Sequence, residues 1–348
     1  MRKLQIAVAG AGLIGRAHIA LVQASGECAL AAIVDPAPAA ESIAGDAGVP
    51  WYTKLADLFA SRHPDGVILA TPNQLHVAQA LECIVAEVAT LIEKPVADSL
   101  DQGIRLCQAA ERVGAKILVG HHRVHSPLLA AARTVIESGA LGRLVGVTGS
   151  AMFYKPDGYF DEAPWRRQPG GGPILINLIH EIGNLRALCG EIVVVQALAS
   201  NATRGFPVED TVAINLRFAN GALGTFLLSD TAASARSWEQ TSRENPSYAT
   251  YPDEDCYLVV GIDGSLAVPT MRLKTYERRE DRSWWKPFRT AVVPVERADP
   301  LARQLSHFCA VIRGEETPRV TARDGLANLR VTEAIAMAAK TGTTITLD

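Results

Sequence analysis

Net charge, paired cysteines and long apolar runs are all scarce in this 348-residue chain. Lys and Arg total 34 against 37 Asp and Glu, a net charge of -3. That balance provides no field to hold a polyanion by counterion release, so nucleic acid is excluded as a partner. The six cysteines, Cys28, Cys83, Cys107, Cys189, Cys256 and Cys309, form no CxxC pair and show no metal-like spacing. They read as reduced thiols of a cytosolic protein, with no metal site implied. No uninterrupted apolar run approaches the roughly twenty residues that cross a bilayer. Arg2 and Lys3 precede an apolar stretch, but Gln5 interrupts it and no cleavage-like segment follows, so the start reads as a buried strand. The expectation is a soluble, cytoplasmic protein without membrane partners. Internal repeats and low-complexity tracts are absent as well.

What is present is ordinary globular composition, 48% hydrophobic and 20% charged. The length exceeds what one hydrophobic core usually serves, so two domains are expected, at 1–122 and 123–348. In the first, short apolar runs at 4–9, 30–35, 66–70, 89–93 and 116–120 alternate with helical periodicity at 13–23, 55–61, 76–86 and 100–113. Fully apolar strands separated by helices imply a doubly wound parallel sheet, an α/β Rossmann architecture. The second domain has helices near 128–138 and 174–188. Its strand-like segments lie at 142–151, 193–200, 211–218, 224–229, 257–261 and 265–268. It reads as α+β with a large, mostly antiparallel, open-faced sheet. The polar stretch 236–255 is too long for a simple turn and reads as a functional lid or a mobile surface loop. Helices at 301–313 and 324–340 close the chain, with Thr321 near an N-cap.

Gly10-Ala11-Gly12-Leu13-Ile14-Gly15 follows a strand and opens a helix, the context in which GxGxxG signifies dinucleotide binding. Gly10 permits the tight turn, Gly12 lets backbone approach a pyrophosphate, and Gly15 lets helix and strand pack closely. Asp35 ends the second strand 20 residues later, where a carboxylate accepts from ribose hydroxyls and repels a 2'-phosphate. No arginine follows among residues 36–39, so NAD is expected and NADP is less favoured.

Two further segments, Ala70-Thr71-Pro72-Asn73-Gln74-Leu75-His76 and Glu93-Lys94-Pro95, each follow a later strand. With the glycine turn they resemble the glucose-fructose oxidoreductase/inositol dehydrogenase (Gfo/Idh/MocA) family. The resemblance continues through 120–123, Trp165-Arg166, the glycines at 170–172, His180 and residues 320–325. It implies that Thr71, Pro72, Asn73 and His76 line the cofactor, and that Glu93, Lys94 and Pro95 form a catalytic turn with Lys94 beside the reacting carbon. Ligands of open α/β sheets bind beyond the carboxyl ends of strands, where both segments fall, and a lysine there can stabilise a developing alkoxide.

The resemblance likewise implies that His180, eight residues after Gly172, handles the hydroxyl proton, a role suited to imidazole. The family's relay aspartate falls on Ile176, and an acid often found three residues beyond the histidine falls on Gly183. Asn177 is expected to reach His180 or the substrate, and His180 to be less basic than in relatives bearing the acid. His121, His122, Arg123 and His125 cluster after the last Rossmann strand. His122 and Arg123 are expected at the substrate, a pairing suited to a carboxylate, with a solvated linker as the other reading. Trp165 and Arg166 bring stacking and charge to cofactor or substrate.

The implied activity is an NAD-dependent dehydrogenase or reductase acting on a cyclitol, sugar or related ring. A carboxylated, quinate-like substrate and a non-catalytic dinucleotide-sensing regulator are the alternatives. Trp284-Trp285 suggests an oligomer interface, or a core strand, and the family's sheet-mediated dimers and tetramers favour the first.

Overall fold

The computed structural model describes residues 2–347, divided into two compact units, 1–122 with 301–329 and 123–300 with 330–348. The first unit carries six parallel strands, β1 (Leu4–Ala9), β2 (Cys28–Val34), β3 (Trp51–Tyr52), β4 (Gly66–Leu69), β5 (Ala89–Glu93) and β6 (Ile117–Gly120). Their order, β3-β2-β1-β4-β5-β6, is the doubly wound arrangement, with the switch of direction between β1 and β4. Helices α1 (Leu13–Ala24), α2 (Ala39–Ala47), α3 (Leu55–Ser61), α4 (Asn73–Val85) and α5 (Leu100–Val113) connect them. Val67, Ile68 and Leu69 of β4 are wholly buried, as strands covered on both faces must be. The expected strands and helices are all present. The short pair α2 and β3 escaped the sequence reading because Ala39–Ala47 is alanine-rich and weakly periodic and β3 has only two residues.

The units divide after residue 122, and the chain then returns to the first of them. Residues 301–329 pack in the first unit: Phe308 and Ile312 lie over Gly66, the Val119 amide donates to the Val320 carbonyl at 2.9 Å, and Arg313 pairs with Glu27 at 2.9 Å. Gly325 meets the Val96 and Val119 side chains with no room for a Cβ to spare.

The second unit opens with α6 (Pro127–Glu137), capped by Ser126, and β7 (Leu144–Met152). After α7 (Asp157–Asp161) comes a π-helical turn, Ile174–Leu178, that runs directly into α8 (Ile179–Cys189). Strands β8 (Ile192–Ser200), β9 (Thr211–Phe218) and β10 (Leu223–Ser229) follow, then α9 (Trp238–Ser242) and β11 (Tyr257–Gly261), β12 (Gly264–Val268), β13 (Arg272–Thr275) and β14 (Arg289–Val292). Helices α10 (Pro300–Arg313) and α11 (Ala322–Thr341) and strand β15 (Ile345–Thr346) complete the chain. The nine-stranded sheet runs β14-β13-β12-β11-β7-β10-β9-β8-β15, antiparallel throughout except for the β7-β10 pair.

One face of this sheet is buried by α6, α8 and the later turns of α11, through Leu129, Ile182, Leu185, Ile335 and Ala338 against Val195, Ile214, Phe226 and Val259. Along β9 and β10 the opposite residues alternate outward, as period-2 strands with one covered face require. The first part of the 236–255 stretch packs into the unit, whereas residues 246–254 lie exposed. Trp238 is fully buried, and Glu239, Ser242 and Glu244 make hydrogen bonds into the unit.

Candidate functional site

The first unit builds a dinucleotide cradle from the backbone upward. Gly10 has φ of +92°, and a Cβ there would stand 2.5 Å from the Ala70 carbonyl oxygen. A Cβ on Gly15 would strike the Gly10 carbonyl, so the strand-to-helix turn closes only with glycine at both positions. Gly12, the N-cap of α1, has open space around its missing side chain, so phosphate oxygens can reach the first amides of the helix. Leu13 and Ile14 lie exposed behind it.

Asp35 is held at the tip of this turn: its Oδ2 accepts from the Ala11 amide at 2.7 Å and its Oδ1 from the Ala37 amide at 2.8 Å. Each oxygen keeps a further lone pair for a ribose hydroxyl.

Lys94 follows β5, half-buried, at a cis Lys94-Pro95 bond. Glu93 points the other way. Its Oε1 lies 2.8 Å from His18 Nε2 of α1, and its Oε2 accepts from the Lys94 amide at 3.2 Å. Burial pushes the Glu93 carboxyl up, but the hydrogen bond from His18 and the charges of His18, Lys94 and His122 outweigh it and hold the group below its usual range. Glu93 is thus an internal anion beneath the turn rather than a surface offered to cofactor. His18 was invisible to motif reading. The one available signal was that a carboxylate closing a fully apolar strand needs a buried partner.

His76 also takes a different place from the one expected. It is buried, with Nδ1 2.8 Å from the Pro95 carbonyl and Nε2 2.9 Å from the Thr71 carbonyl. Burial lowers its pKa against the pull of the two carbonyls. The ring ties the Thr71-Pro72-Asn73 turn to the Glu93-Lys94-Pro95 corner, so its nitrogens are spent on backbone. Thr71 Oγ1 donates to Gln79 Oε1 at 2.6 Å, while Pro72 caps α4 and Asn73 begins it. His121 is buried against Asn328 at 3.2 Å, and His122 is half-buried.

In the second unit the π-helical turn places Ile176, Asn177 and His180, all half-buried, along one stretch of helix. Asn177 is already engaged: its Oδ1 accepts from Lys155 Nζ at 2.8 Å. Lys155, beyond the end of β7, is 8% exposed and lies 3.3 Å from Asp230 Oδ2. Burial pushes its ammonium down to about 8 despite Asp230, with Arg204 and Arg166 lowering it further. Arg204 holds the same Asp230 through Nε at 3.1 Å. Arg166 stacks on the Tyr159 ring at 3.8 Å and donates to the Tyr159 carbonyl at 2.6 Å, beside an exposed Trp165.

The expected substrate contact of Arg123 gives way to a structural one. Its buried guanidinium donates to Glu181 Oε1 at 2.5 Å and to Glu239 Oε1 at 3.0 Å, over the Trp238 ring at 5.9 Å. Glu181 also accepts from the Tyr257 hydroxyl. Two carboxylates consume the charge, and the guanidinium pKa rises. Arg123 and Glu181 were legible only as a histidine-rich cluster and a residue adjacent to His180. Lys155, Asp230 and Arg204 carried no motif, because they come from three separate segments.

Among the described residues no group of three or more His, Cys, Asp or Glu side chains is placed to hold a metal ion, and no helix is long and apolar enough to cross a membrane.

Residues 4–121 match the family model described as an oxidoreductase family with an NAD-binding Rossmann fold (Gfo/Idh/MocA), and residues 129–267 match the C-terminal domain of the same family. The rhizopine catabolism protein MocA of Rhizobium meliloti is 26% identical over 344 residues, 96% of this chain and 94% of that protein. The inositol 2-dehydrogenase of Rhizobium meliloti (strain 1021) is 26% identical over 329 residues, 93% of each chain. Among solved structures, the WlbA dehydrogenase of Bordetella pertussis in complex with NADH and UDP-GlcNAcA superposes with a TM-score of 0.78 at 25% identity, covering 100% of this chain and 99% of that one.

Proposed function

Because the chain belongs to the Gfo/Idh/MocA family of NAD-binding oxidoreductases, we propose that it transfers hydride between nicotinamide and a hydroxyl or keto carbon of a cyclitol, sugar or related polyhydroxylated ring. The observation that carries this reading is the turn at residues 10–15, shaped for a pyrophosphate, in the same unit as Lys94 on its buried Glu93-His18 support. The cradle fits the cofactor: Gly12 leaves backbone amides open, and Asp35 is oriented by Ala11 to meet a ribose. Bound there, the dinucleotide accepts or supplies the hydride.

The chain's own side chains do the rest. In the first unit Lys94 is suited to stabilise negative charge growing on a substrate oxygen, and in the second unit His180 is suited to take or return a hydroxyl proton. His76 and Glu93 hold the Lys94 corner from behind. Relatives named as dehydrogenases and reductases leave the non-catalytic alternative without support. All six cysteines are buried and free, which suits action in a reducing cytoplasm.

A carboxylated substrate is the second reading. The cationic group that favours it is now Lys155 with Arg166 rather than Arg123, and the B. pertussis relative is solved with UDP-GlcNAcA. A panel of cyclitols, aldoses, keto sugars and uronic acids, followed by absorbance of reduced nicotinamide, separates the two. Turnover of neutral rings alone supports the first reading, and turnover confined to acids supports the second. Lys94→Ala is expected to cut turnover at least roughly a hundredfold. Intact turnover in that variant overturns the catalytic assignment.

Assembly of copies through the nine-stranded sheet is part of the same proposal. Its outward face presents Leu198, 75% exposed, with Leu223, Leu227 and Leu258, and Leu198 and Leu227 line a groove of about 480 Å3 there. Trp284 and Trp285 lie at 86% and 81% exposure with their rings edge to face at 5.0 Å. Exposed apolar surface of this extent is what a second copy of the chain covers.

A further inference from the structure

Ile176 stands where the family places its relay acid, so the helix bearing His180 lacks that carboxylate and must orient its substrate by other means. The three residues Asp230, Lys155 and Asn177 lie on the flank of this helix. They come from the end of β10, the segment after β7 and the π-helical turn. Lys155 Nζ is 2.8 Å from Asn177 Oδ1 and 3.3 Å from Asp230 Oδ2. An ammonium has donors only, so the Asn177 amide is forced to turn its oxygen toward Lys155 and its NH2 away. Asn177 lies in the π-helical turn that leads directly into the helix bearing His180, three residues ahead of it.

We propose that Asp230, Lys155 and Asn177 form a positioning chain in which the carboxylate anchors the ammonium, the ammonium sets the amide, and the amide presents an N–H donor to a substrate oxygen beside His180. This rests on the dehydrogenase reading above. Its consequence is a change of sign. A relay carboxylate accepts a hydrogen bond and raises the basicity of a neighbouring histidine, whereas this chain presents a donor backed by a cation. The oxygen it suits is one that accepts without donating: a carbonyl, a carboxylate or an alkoxide in formation.

The groups around the ammonium are consistent with a built site. Asp230 and Arg204 share an ion pair beneath it, and Tyr159 and Phe153 place rings at 5.0 and 5.7 Å from Nζ. Arg166 stacks on the same Tyr159 ring at 3.8 Å. Glu209, whose Oε1 accepts from the Ile174 amide at 3.0 Å, closes the start of the π-helical turn. Burial raises the Glu209 carboxyl above its ordinary value, against the hydrogen bond from the Ile174 amide.

The test uses the full chain with NAD and the fastest substrate of the panel described above. Lys155→Met and Asn177→Leu are measured singly and together, with Lys155→Arg as the conservative variant. Each single change is expected to lower kcat/KM about tenfold. The double variant is expected to be no worse than the poorer single one, because both remove one coupled unit. Lys155→Arg is expected to recover most of the loss. The kcat/KM profile of the unaltered protein is expected to show an inflection near pH 8 that disappears in Lys155→Met, while NAD affinity stays unchanged. Independent, multiplying effects overturn the proposal, as does a fall in melting temperature with kcat/KM intact. Asn177→Leu, at a half-buried position, keeps the test decisive if Lys155→Met fails to fold. Should the unaltered chain bind NAD yet turn over no member of the panel, the dehydrogenase reading fails and the positioning chain fails with it. Turnover insensitive to both variants removes the positioning chain alone.

Discussion

Glu93 Oε1 stands 2.8 Å from His18 Nε2, and both side chains are buried beneath the corner that carries Lys94. Removing one partner of such a pair leaves the other charged and unsatisfied. His18→Phe is therefore expected to cost about 3–5 kcal/mol, seen as a fall in thermal midpoint. The folded Glu93 carboxyl lies below its ordinary value of 4.5, so the pair stabilises above that pH and its contribution disappears as pH falls through the folded value. The stability gap between the unaltered chain and Glu93→Gln is expected to close on acid titration. A gap that persists at strongly acid pH disproves the linkage.

Arg123 is expected to act on stability rather than on substrate recognition. With Glu181 and Glu239 as its partners, Arg123→Met is predicted to lower stability by about 3–5 kcal/mol and to leave KM nearly unchanged at a temperature where the variant is folded. A KM that rises tenfold in a stable variant would restore Arg123 to the substrate.

Glu244 offers a pH signature of the opposite sign. Burial raises its carboxyl from 4.5 to about 7, while Ser126 donates to it at 2.6 Å. The native state therefore binds more protons than the unfolded chain between those values, and stability falls as pH rises through them. Denaturant midpoints are expected to drop from pH 5 to pH 8 in the unaltered chain and to flatten in Glu244→Gln. An equal slope in both proteins would show that another group is responsible.

Asp35 is expected to govern cofactor affinity and choice. Asp35→Ala removes the acceptor that orients the Ala11 and Ala37 amides and the carboxylate that repels a 2'-phosphate. KM for NAD is predicted to rise about tenfold, with preference over NADP reduced and kcat retained. Unaltered nicotinamide preference would place recognition of the ribose elsewhere.

Replacing Trp284 and Trp285 with serine is expected to shift the assembly toward the single chain in sedimentation while leaving the melting of the fold intact, since both rings are already exposed. An unchanged sedimentation profile argues that copies do not meet at these rings.

Much of the first unit was legible in the chain itself. Strands buried on both faces must be apolar throughout, and glycines at which a Cβ would stand within 2.5 Å of other backbone admit no substitute, so β1, β4, β5 and residues 10–15 carry local signatures. Helix boundaries such as Leu55–Ser61 and Leu100–Val113 followed from periodicity alone. The weakly patterned Ala39–Ala47 and the two-residue β3 did not.

Local pattern determined where the chain turns, which stretches form the two kinds of sheet, and which residues carry the dinucleotide and Lys-containing motifs. Only tertiary structure decided the partners of the charged groups. It paired His18 with Glu93, spent Arg123 on Glu181 and Glu239, turned His76 onto two carbonyls and brought Lys155 to Asn177. The reason is physical: apolar periodicity is written over neighbouring residues, whereas a buried charge is satisfied by whichever distant segment the fold brings within about 3 Å.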